Sequence, residues 1–265
     1  MGIPLRPLAV VAAGRSEYRE LPPPRALADV LACAWHGYTG WARPLRVLPD
    51  GCADLVWDGR SLAVVAAVAA PVRLWVPAGS SRVGVRFRCG AAGALLGESV
   101  ADLPVTTPLR ELWGAEARRA EERLAATTNP DAQRALLESL VAARPGRPEP
   151  KLLAAVLALG APGARVAEVA GELGMSERTL RRNLRHTAGT GPKQLDRIQR
   201  FRHFLRHLEP LARRRTTLAA AAAELGYADQ SHLGRESRRL SGSAPAGLVR
   251  SWARVAETFQ TRPGR

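Results

Sequence analysis

The chain has 265 residues, a formal net charge of +15 and an isoelectric point near 11.3. This length is expected to form two domains of ordinary size, each with its own core. The excess positive charge indicates an anionic partner, with nucleic acid ahead of an acidic membrane surface. The three cysteines form no CxxC pair, no apolar run reaches the length of a membrane span, and the N-terminus carries no secretory h-region, so a reducing cytoplasm is expected.

Residues 46–89 carry the pattern of short β-strands. Runs rich in Val, Leu and Trp are separated by Gly, Pro and Asp turns such as "PDG", "WDG" and "PAGSS". The segment "RVGVRFR" alternates, with Val83, Val85 and Phe87 on one face, as a half-exposed strand does. We expect a meandering antiparallel sheet or a small, barrel-like fold.

The pattern changes to helices after residue 90. Short helices are expected at residues 91–96 and 108–113, followed by two amphipathic helices that meet at Asn129 and Pro130. The last of these carries an apolar stripe made of Leu136, Leu137, Leu140 and Val141. Such a stripe packs on the chain's own sheet or, as the alternative, on the same helix of a second subunit.

A Pro-rich segment, "RPGRPEP", divides the chain at residues 144–150, where three prolines and a glycine cannot continue a helix. We therefore predict an α+β protein with two domains. Residues 1–143 form a β-rich sensor or dimerisation domain with a helical connector, and residues 151–265 form an all-helical domain. The basic charge belongs mostly to the second part, because residues 165–265 hold 20 Lys and Arg against 9 Asp and Glu.

The second part contains one short pattern twice. "RVAEVAGELG" and "TLAAAAAELG" place apolar residues three, four and seven apart, which predicts one face of a helix that ends at Gly174 or Gly226. Ser176 and Asp229 then serve as N-caps of a second helix. Both second helices end at similar signals, "GTGP" and "GSAP". The pattern predicts two helix-turn-helix units, at about residues 165–192 and 217–245.

A long helix at residues 192–208 is predicted to join the two units. It begins with Pro, as helices often do. Its buried side is formed by Leu195, Ile198, Phe201, Phe204, Leu205 and Leu208. A rigid helix here would fix the distance between two reading helices, so that they enter successive major grooves about one DNA turn (roughly 34 Å) apart.

At these residues the sequence resembles the AraC/XylS family of bacterial transcription regulators, over roughly residues 165–250. The second unit, "AAELGYADQSHLGRESRRLSGSAP", is similar to the family pattern A-x-x-x-G-[FY]-x-[DS]-x-S-x-[FL]-x-R followed by G-x-x-P. The resemblance implies a sequence-specific, DNA-binding transcription regulator. Ser237 stands where the family usually has Phe, and this difference predicts looser packing or weaker DNA binding in the second unit.

The resemblance places base-reading positions on the second helix of each unit. They are Arg178, Arg181, Arg182, Gln230, Ser231, His232 and Arg235. The chemistry agrees, since Arg donates two hydrogen bonds to guanine and Gln pairs with adenine. Four further cations are better placed for DNA phosphates: Arg185, Lys193, Arg238 and Arg239. For any single Arg the alternative is a solvated helix face.

The N-terminal half resembles the sensor halves of one actinobacterial-type branch of these regulators, near "YRELPPP" and "RVLPDGCADLVW". Such a domain is expected to bind an effector or to dimerise. A candidate effector pocket is lined by Trp35, Trp57, Trp75 and Asp54. The alternative for the tryptophans is a small β core, and Asp50 and Asp58 are explained as turn residues.

No catalysis and no cofactor are expected. Cys33, Cys52 and Cys89 lack metal-ligand spacing, and Cys33 with His36 supplies only half a metal site. Two alternatives stay open: a DNA-repair or DNA-modifying protein that joins this reader to N-terminal cysteine chemistry, and a non-specific nucleoid binder. The expected partners are promoter or operator DNA, RNA polymerase if the protein is an activator, a small-molecule effector and a second copy of the chain, with no membrane.

Overall fold

A computed structural model describes residues 16–161 and 163–260, with the backbone alone for residues 254–260. The predicted fold class is confirmed, because strands dominate the N-terminal region and the described part of the C-terminal region contains helices only. The outer limits predicted for the two domains, residues 1 and 265, lie outside the described residues.

The described strands lie in two antiparallel sheets. They are β1 (Glu17–Leu21), β2 (Leu31–Thr39), β3 (Arg43–Val47), β4 (Asp54–Trp57), β5 (Leu62–Val65), β6 (Val72–Val76), β7 (Ser80–Phe87) and β8 (Thr106–Pro108). The larger sheet has the order β1-β2-β7-β4-β5-β8, and the smaller one pairs β3 with β6. Both sheets are open rather than closed into a barrel.

The strands of residues 46–89 were predicted, whereas β1, β2 and β8 were not. Val83, Val85 and Phe87 are fully buried, which confirms the face assigned to β7. The missed β2 is nine residues long, but its register shifts between Leu31 and Cys33. This irregularity interrupts the alternation by which a strand is recognised in a sequence.

The helices follow in chain order. They are α1 (Ala92–Leu96), α2 (Leu109–Ala125), α3 (Pro130–Ala142), α4 (Pro150–Leu159), α5 (Val166–Glu172), α6 (Glu177–Ala188), α7 (Pro192–Arg206), α8 (Leu208–Ala212), α9 (Leu218–Glu224), α10 (Gln230–Ser241) and α11 (Pro245–Gln260). Gly114 is non-helical, with φ 52° and ψ −120°, and divides α2 into two pieces near the predicted boundary.

Helix α3 packs on the chain's own sheet, against β7 and β2. Leu137 and Val141 of its apolar stripe are fully buried in the N-terminal core. Between α3 and α4, Arg144 lies over the ring of Trp113 at 4.3 Å and donates to Glu116 Oε2 at 2.7 Å. These contacts fix the start of the segment that connects the two regions.

The C-terminal helices pack directly on the N-terminal region. Cys52 and Cys89, which flank β4 and β7, belong to one buried cluster with residues of α4, α5 and α6. Leu48 packs against a second cluster, formed by α7 to α11. The position of both helix-turn-helix units is therefore set by contacts with the sheet as well as by the helices between them.

Candidate nucleic-acid interface

The first helix-turn-helix unit consists of α5 and α6. The turn between them passes through Gly174 at φ +67°, a conformation that glycine adopts without a Cβ clash. Ser176 is the N-cap of α6, as predicted, and its Oγ accepts the N–H of Thr179 at 3.1 Å. Leu180 and Leu184 are fully buried, so the opposite face of α6 is left to solvent.

That solvent face of α6 is cationic. Its exposed arginines are Arg178, Arg181, Arg182 and Arg185, and His186 is exposed as well. Arg181 donates to Glu177 Oε2 at 2.6 Å. The four side chains and His186 line one wall of an open cleft of about 710 Å³, and Ser99, Ala101 and Asp102 line the other. A phosphate or base edge would meet several guanidinium donors here.

The second unit consists of α9 and α10 and follows the same local plan. Thr217 caps α9, Gly226 turns at φ +71°, and Asp229 caps α10 by accepting the N–H of His232 at 2.6 Å. Leu233 and Leu240 are fully buried. The predicted base-reading residues Gln230, Ser231 and Arg235 are exposed, as are Arg238 and Arg239.

His232 differs from the other predicted base readers because it is half-buried. The backbone N–H of Ala228 donates to its Nδ1 at 3.3 Å, and its ring meets Tyr227 edge-on at 5.4 Å between centroids. The imidazole therefore helps to close the turn. Only its Nε2 side is free for another partner.

Ser237 is fully buried, and the looser packing expected at this position stays a prediction. Its Oγ donates to the carbonyl oxygen of Ser243 at 2.8 Å, while Ser241 Oγ donates to the carbonyl oxygen of Ser237 at 2.7 Å. Hydrogen bonds thus satisfy the hydroxyl and the carbonyl group of Ser237 inside the fold. The weaker DNA binding expected of this unit stays a prediction.

Helix α7 joins the units and ends at Arg206, two residues earlier than predicted. Leu195, Ile198, Phe201 and Phe204 are buried along one side, as the spacing predicted. Arg197 of α7 donates to both carboxylate oxygens of Glu236 in α10, at 2.7 and 2.5 Å. These hydrogen bonds lower the pKa of Glu236 and fix α10 to α7. Sequence reasoning missed this pair, because the partners are 39 residues apart.

The four residues of the predicted effector pocket do not form one site. Trp35 Nε1 donates to Asp54 Oδ1 at 2.8 Å, so these two lie together. Trp57 is 2% exposed and belongs to the core on the opposite side of the sheet, whereas Trp75 is 67% exposed on β6. Trp57 is therefore a core residue, Trp75 is exposed on the surface, and an effector site at Trp35 and Asp54 stays a prediction.

Around Trp35 and Asp54 the sheet carries a buried ionic cluster that the sequence did not reveal. Arg86 contacts three carboxylates: Asp54 at 3.1 Å, Glu20 at 3.3 Å and Asp50 at 3.5 Å. Burial raises the pKa of both Asp54 and Glu20, and Arg86 opposes this rise. Tyr18 stacks on Trp35 at 5.8 Å and donates to Glu20 at 2.9 Å.

The cysteines occupy interior positions. Cys52 and Cys89 are buried, Cys33 is half-buried, and burial raises the pKa of all three thiols, to about 12 for Cys33 and Cys89. Such thiols stay protonated at neutral pH, which disfavours a nucleophilic or metal-binding thiolate. Among the described residues no group of three or more His, Cys, Asp or Glu side chains could hold a metal ion, and no helix there is long and apolar enough to span a membrane.

The comparison with known families fits this geometry. The family model described as "Helix-turn-helix domain" matches residues 169–251, which contain both units. The C-terminal region is an AraC-type helix-turn-helix domain. Upstream of the AraC-type domain, residues 19–107 match a domain of unknown function, DUF6597, which extends from β1 to β8. No curated protein matches the chain.

Solved structures of ToxT from Vibrio cholerae are similar in outline. ToxT of strain O395 has 10% identity and a TM-score of 0.40 over 89% of this chain and 97% of that one. ToxT of strain SCE256 with bound unsaturated fatty acid has 11% identity and a TM-score of 0.39 over 90% and 97%. These TM-scores lie below 0.5, and the similarity does not bear on ligand or function.

Proposed function

We propose that the protein is a transcription regulator that places α6 and α10 in two successive major grooves of DNA. The observation that carries this proposal is the repeated unit itself. Each copy has a glycine turn, a side-chain N-cap and an exposed, Arg-bearing face, and both are fixed to the same helix α7. Recognition helices of this kind present their N-terminal residues to base edges.

The exposed residues divide into two roles in this proposal. Arg178, Arg182 and Arg235 read guanine through paired hydrogen bonds, and Gln230 reads adenine. Ser231 and the Nε2 side of His232 make further base contacts. Arg181 also contacts a base, and to do so it must break its hydrogen bond to Glu177. The phosphate contacts come from Arg185, Lys193, Arg238 and Arg239, all of which are exposed.

The N-terminal region is the sensing part in this proposal. Its ionic cluster lies beside the loop that carries Asp50 and Cys52, and Cys52 packs against the AraC-type domain. A thermal-shift screen of small organic acids and amines on the full chain tests this role. A compound that stabilises the wild-type chain but not Asp54→Asn would support an effector site at Trp35 and Asp54, and no stabilising compound would favour the dimerisation role.

Three further parts of the proposal concern the cellular setting. We place the regulator in the cytoplasm on promoter DNA, with RNA polymerase as a partner if it activates transcription. A homodimer formed through the N-terminal region is the arrangement to test by sedimentation, with and without DNA.

The experiment that tests the proposed function is selection of bound sites from a randomised duplex library by the purified full chain. The proposal predicts an asymmetric motif of two boxes about one DNA turn apart. A library recovered without any enriched motif would contradict sequence-specific regulation and favour the non-specific nucleoid binder. Steep salt dependence alone would not separate the two, since phosphate contacts produce it in both cases.

A further inference from the structure

The C-terminal end of α10 is bound by a residue of the N-terminal region. Arg46 of β3 donates from Nη1 to the carbonyl oxygen of Ser241 at 2.6 Å and to Ser243 Oγ at 2.8 Å. Ser241 is the last residue of α10, and the final carbonyls of a helix lack partners within the helix. A cation there also interacts favourably with the helix dipole. Arg46 therefore acts as a C-terminal cap supplied from 195 residues away.

The turn that receives Arg46 is itself fixed. Ser237, Ser241 and Ser243 form a closed hydrogen-bond network, in which Ser241 Oγ also accepts the N–H of Ser243 at 3.2 Å. Ser237 and Ser241 are fully buried. The network connects the two hydrogen-bond partners of Arg46 to the last turn of α10.

The first reading helix is held at the corresponding end. Gly189, which ends α6, packs closely on Val100, because a Cβ added to this glycine would lie only 3.0 Å from Val100 Cγ1. A Cβ added at Gly93 of α1 would lie 2.7 Å from the carbonyl oxygen of His186. The N-terminal region thus contacts both reading helices at their C-terminal ends, while Arg178, Gln230 and Ser231 near their N-terminal ends are exposed.

We propose that Arg46 is a positioning residue for the second reading helix. Through it, the N-terminal region sets the angle at which α10 meets DNA, while the packing of Gly93 and Val100 does the same for α6. This inference rests on the proposed function, because it takes α10 as a reading helix. It also assigns a role to the serine network around Ser237, where the family usually has Phe.

The chain offers a matched control on the same two-stranded sheet. Arg73 of β6 is the direct cross-strand partner of Arg46. Arg73 is exposed, and within the described part of the chain it forms no hydrogen bond or ion pair. Arg46→Ala and Arg73→Ala therefore remove the same charge from the same surface, and only the first removes the contact with α10.

The first test is hydrogen exchange of the full chain without DNA. We expect backbone amides of residues 238–247 to exchange about three- to tenfold faster in Arg46→Ala, as the loss of one charged hydrogen-bond donor implies. Arg73→Ala should match the wild type, and Arg46→Lys, which keeps a donor, should lie between them. Equal exchange rates in Arg46→Ala and the wild type would overturn the proposed contact, whatever the DNA-binding results.

The second test uses the duplex recovered by selection, intact and with the second box scrambled. Arg46→Ala should weaken binding to the intact duplex about three- to tenfold and leave binding to the scrambled duplex unchanged. An equal loss on both duplexes, or the same loss in Arg73→Ala, would overturn the positioning role. If selection yields no motif, the proposed function fails and the positioning role fails with it, while the exchange experiment still reports on the contact.

Discussion

The first helix-turn-helix unit has an aliphatic core, whereas the second is built around three aromatic rings. Val169, Leu180 and Leu184 pack with the thiols of the N-terminal region in the first unit. Phe201, Phe204 and Tyr227 fill the core of the second. The exposed faces differ as well, since α6 presents four arginines and α10 presents a mixed polar set. The two units therefore share a backbone plan and differ in both packing and surface chemistry.

The shared plan comes from a few local signals. Gly174 and Gly226 adopt nearly the same positive φ, and Ser176 and Asp229 cap the following helices in the same way. Because these signals act within a few residues, core and surface can change around them. The two units therefore share a turn geometry and not a binding surface.

The largest effects on stability are expected from the two cores. Leu184→Ala and Leu233→Ala each remove a fully buried side chain, and each should lower the free energy of unfolding by about 3 kcal/mol. Urea denaturation measures both. Leu157→Ala is the control, because this residue is 76% exposed and should change stability by less than about 0.5 kcal/mol. If Leu157→Ala were as damaging as the others, the assignment of the cores would be wrong.

The next largest effects separate the two reading faces. Arg182→Ala should weaken binding about ten- to hundredfold through the box read by α6, and Arg235→Ala should do so through the other box. Titration of duplexes with one box scrambled measures each effect. Arg60→Ala removes a charge from an exposed turn of the N-terminal region and should not change the affinity for either box. A loss that is equal on every duplex would indicate phosphate contacts instead of base reading.

Smaller effects are expected from the N-caps. Ser176→Ala and Asp229→Ala each remove the acceptor of a backbone N–H and should cost about 1 kcal/mol of stability. Ser176→Asp, which keeps an acceptor oxygen, should cost much less. Thermal unfolding followed by circular dichroism distinguishes these variants. If Ser176→Asp and Ser176→Ala were equally destabilised, the hydrogen bond to Thr179 would not support α6.

The smallest expected effect is a loss of stability at acidic pH, and it is confined to the second unit. The folded-state pKa of Glu236 is lowered by hydrogen bonds from Arg197, so its stabilising contribution is present above the unfolded value of about 4.3 and is lost as the pH falls through the lower folded value. The loss should be about 1 kcal/mol, because Glu236 is buried and its partner Arg197 is only partly exposed. Hydrogen exchange of α10 between pH 5 and 3 measures it. Glu236→Gln should abolish this pH dependence, and its persistence in that variant would contradict the assignment.

The C-terminal units could be predicted from the sequence because their signals are short-range. Glycine turns, caps and apolar spacing act over four to eight residues, and the helices begin at the predicted caps Ser176 and Asp229. The end of α7 was placed two residues too late, because Leu208, the first residue of α8, continues the apolar spacing of α7. Helix ends of this kind carry no strong local signal.

The N-terminal cluster and the contacts between the two regions could not be predicted. Arg86 and Asp54 are 32 residues apart, and Arg46 and Ser241 are 195 residues apart. Such pairs depend on sheet register and on the packing of one region on the other, which a linear pattern does not encode. The same reason explains why the predicted pocket residues do not lie together. Trp57, for example, lies on the opposite side of the sheet from Asp54.

We propose that the two helix-turn-helix units, joined by one rigid helix, read two grooves on the same side of DNA. Helix α7 has 15 residues and is about 22 Å long, so it cannot adjust to a rotated box. The most direct measurement is the affinity of the full chain for the selected duplex with about five base pairs, half a turn, inserted between the boxes. We predict that the affinity falls to that of a duplex with a single box. Unchanged affinity would contradict the fixed spacing of the two units, because they would then bind DNA independently of the distance between the boxes.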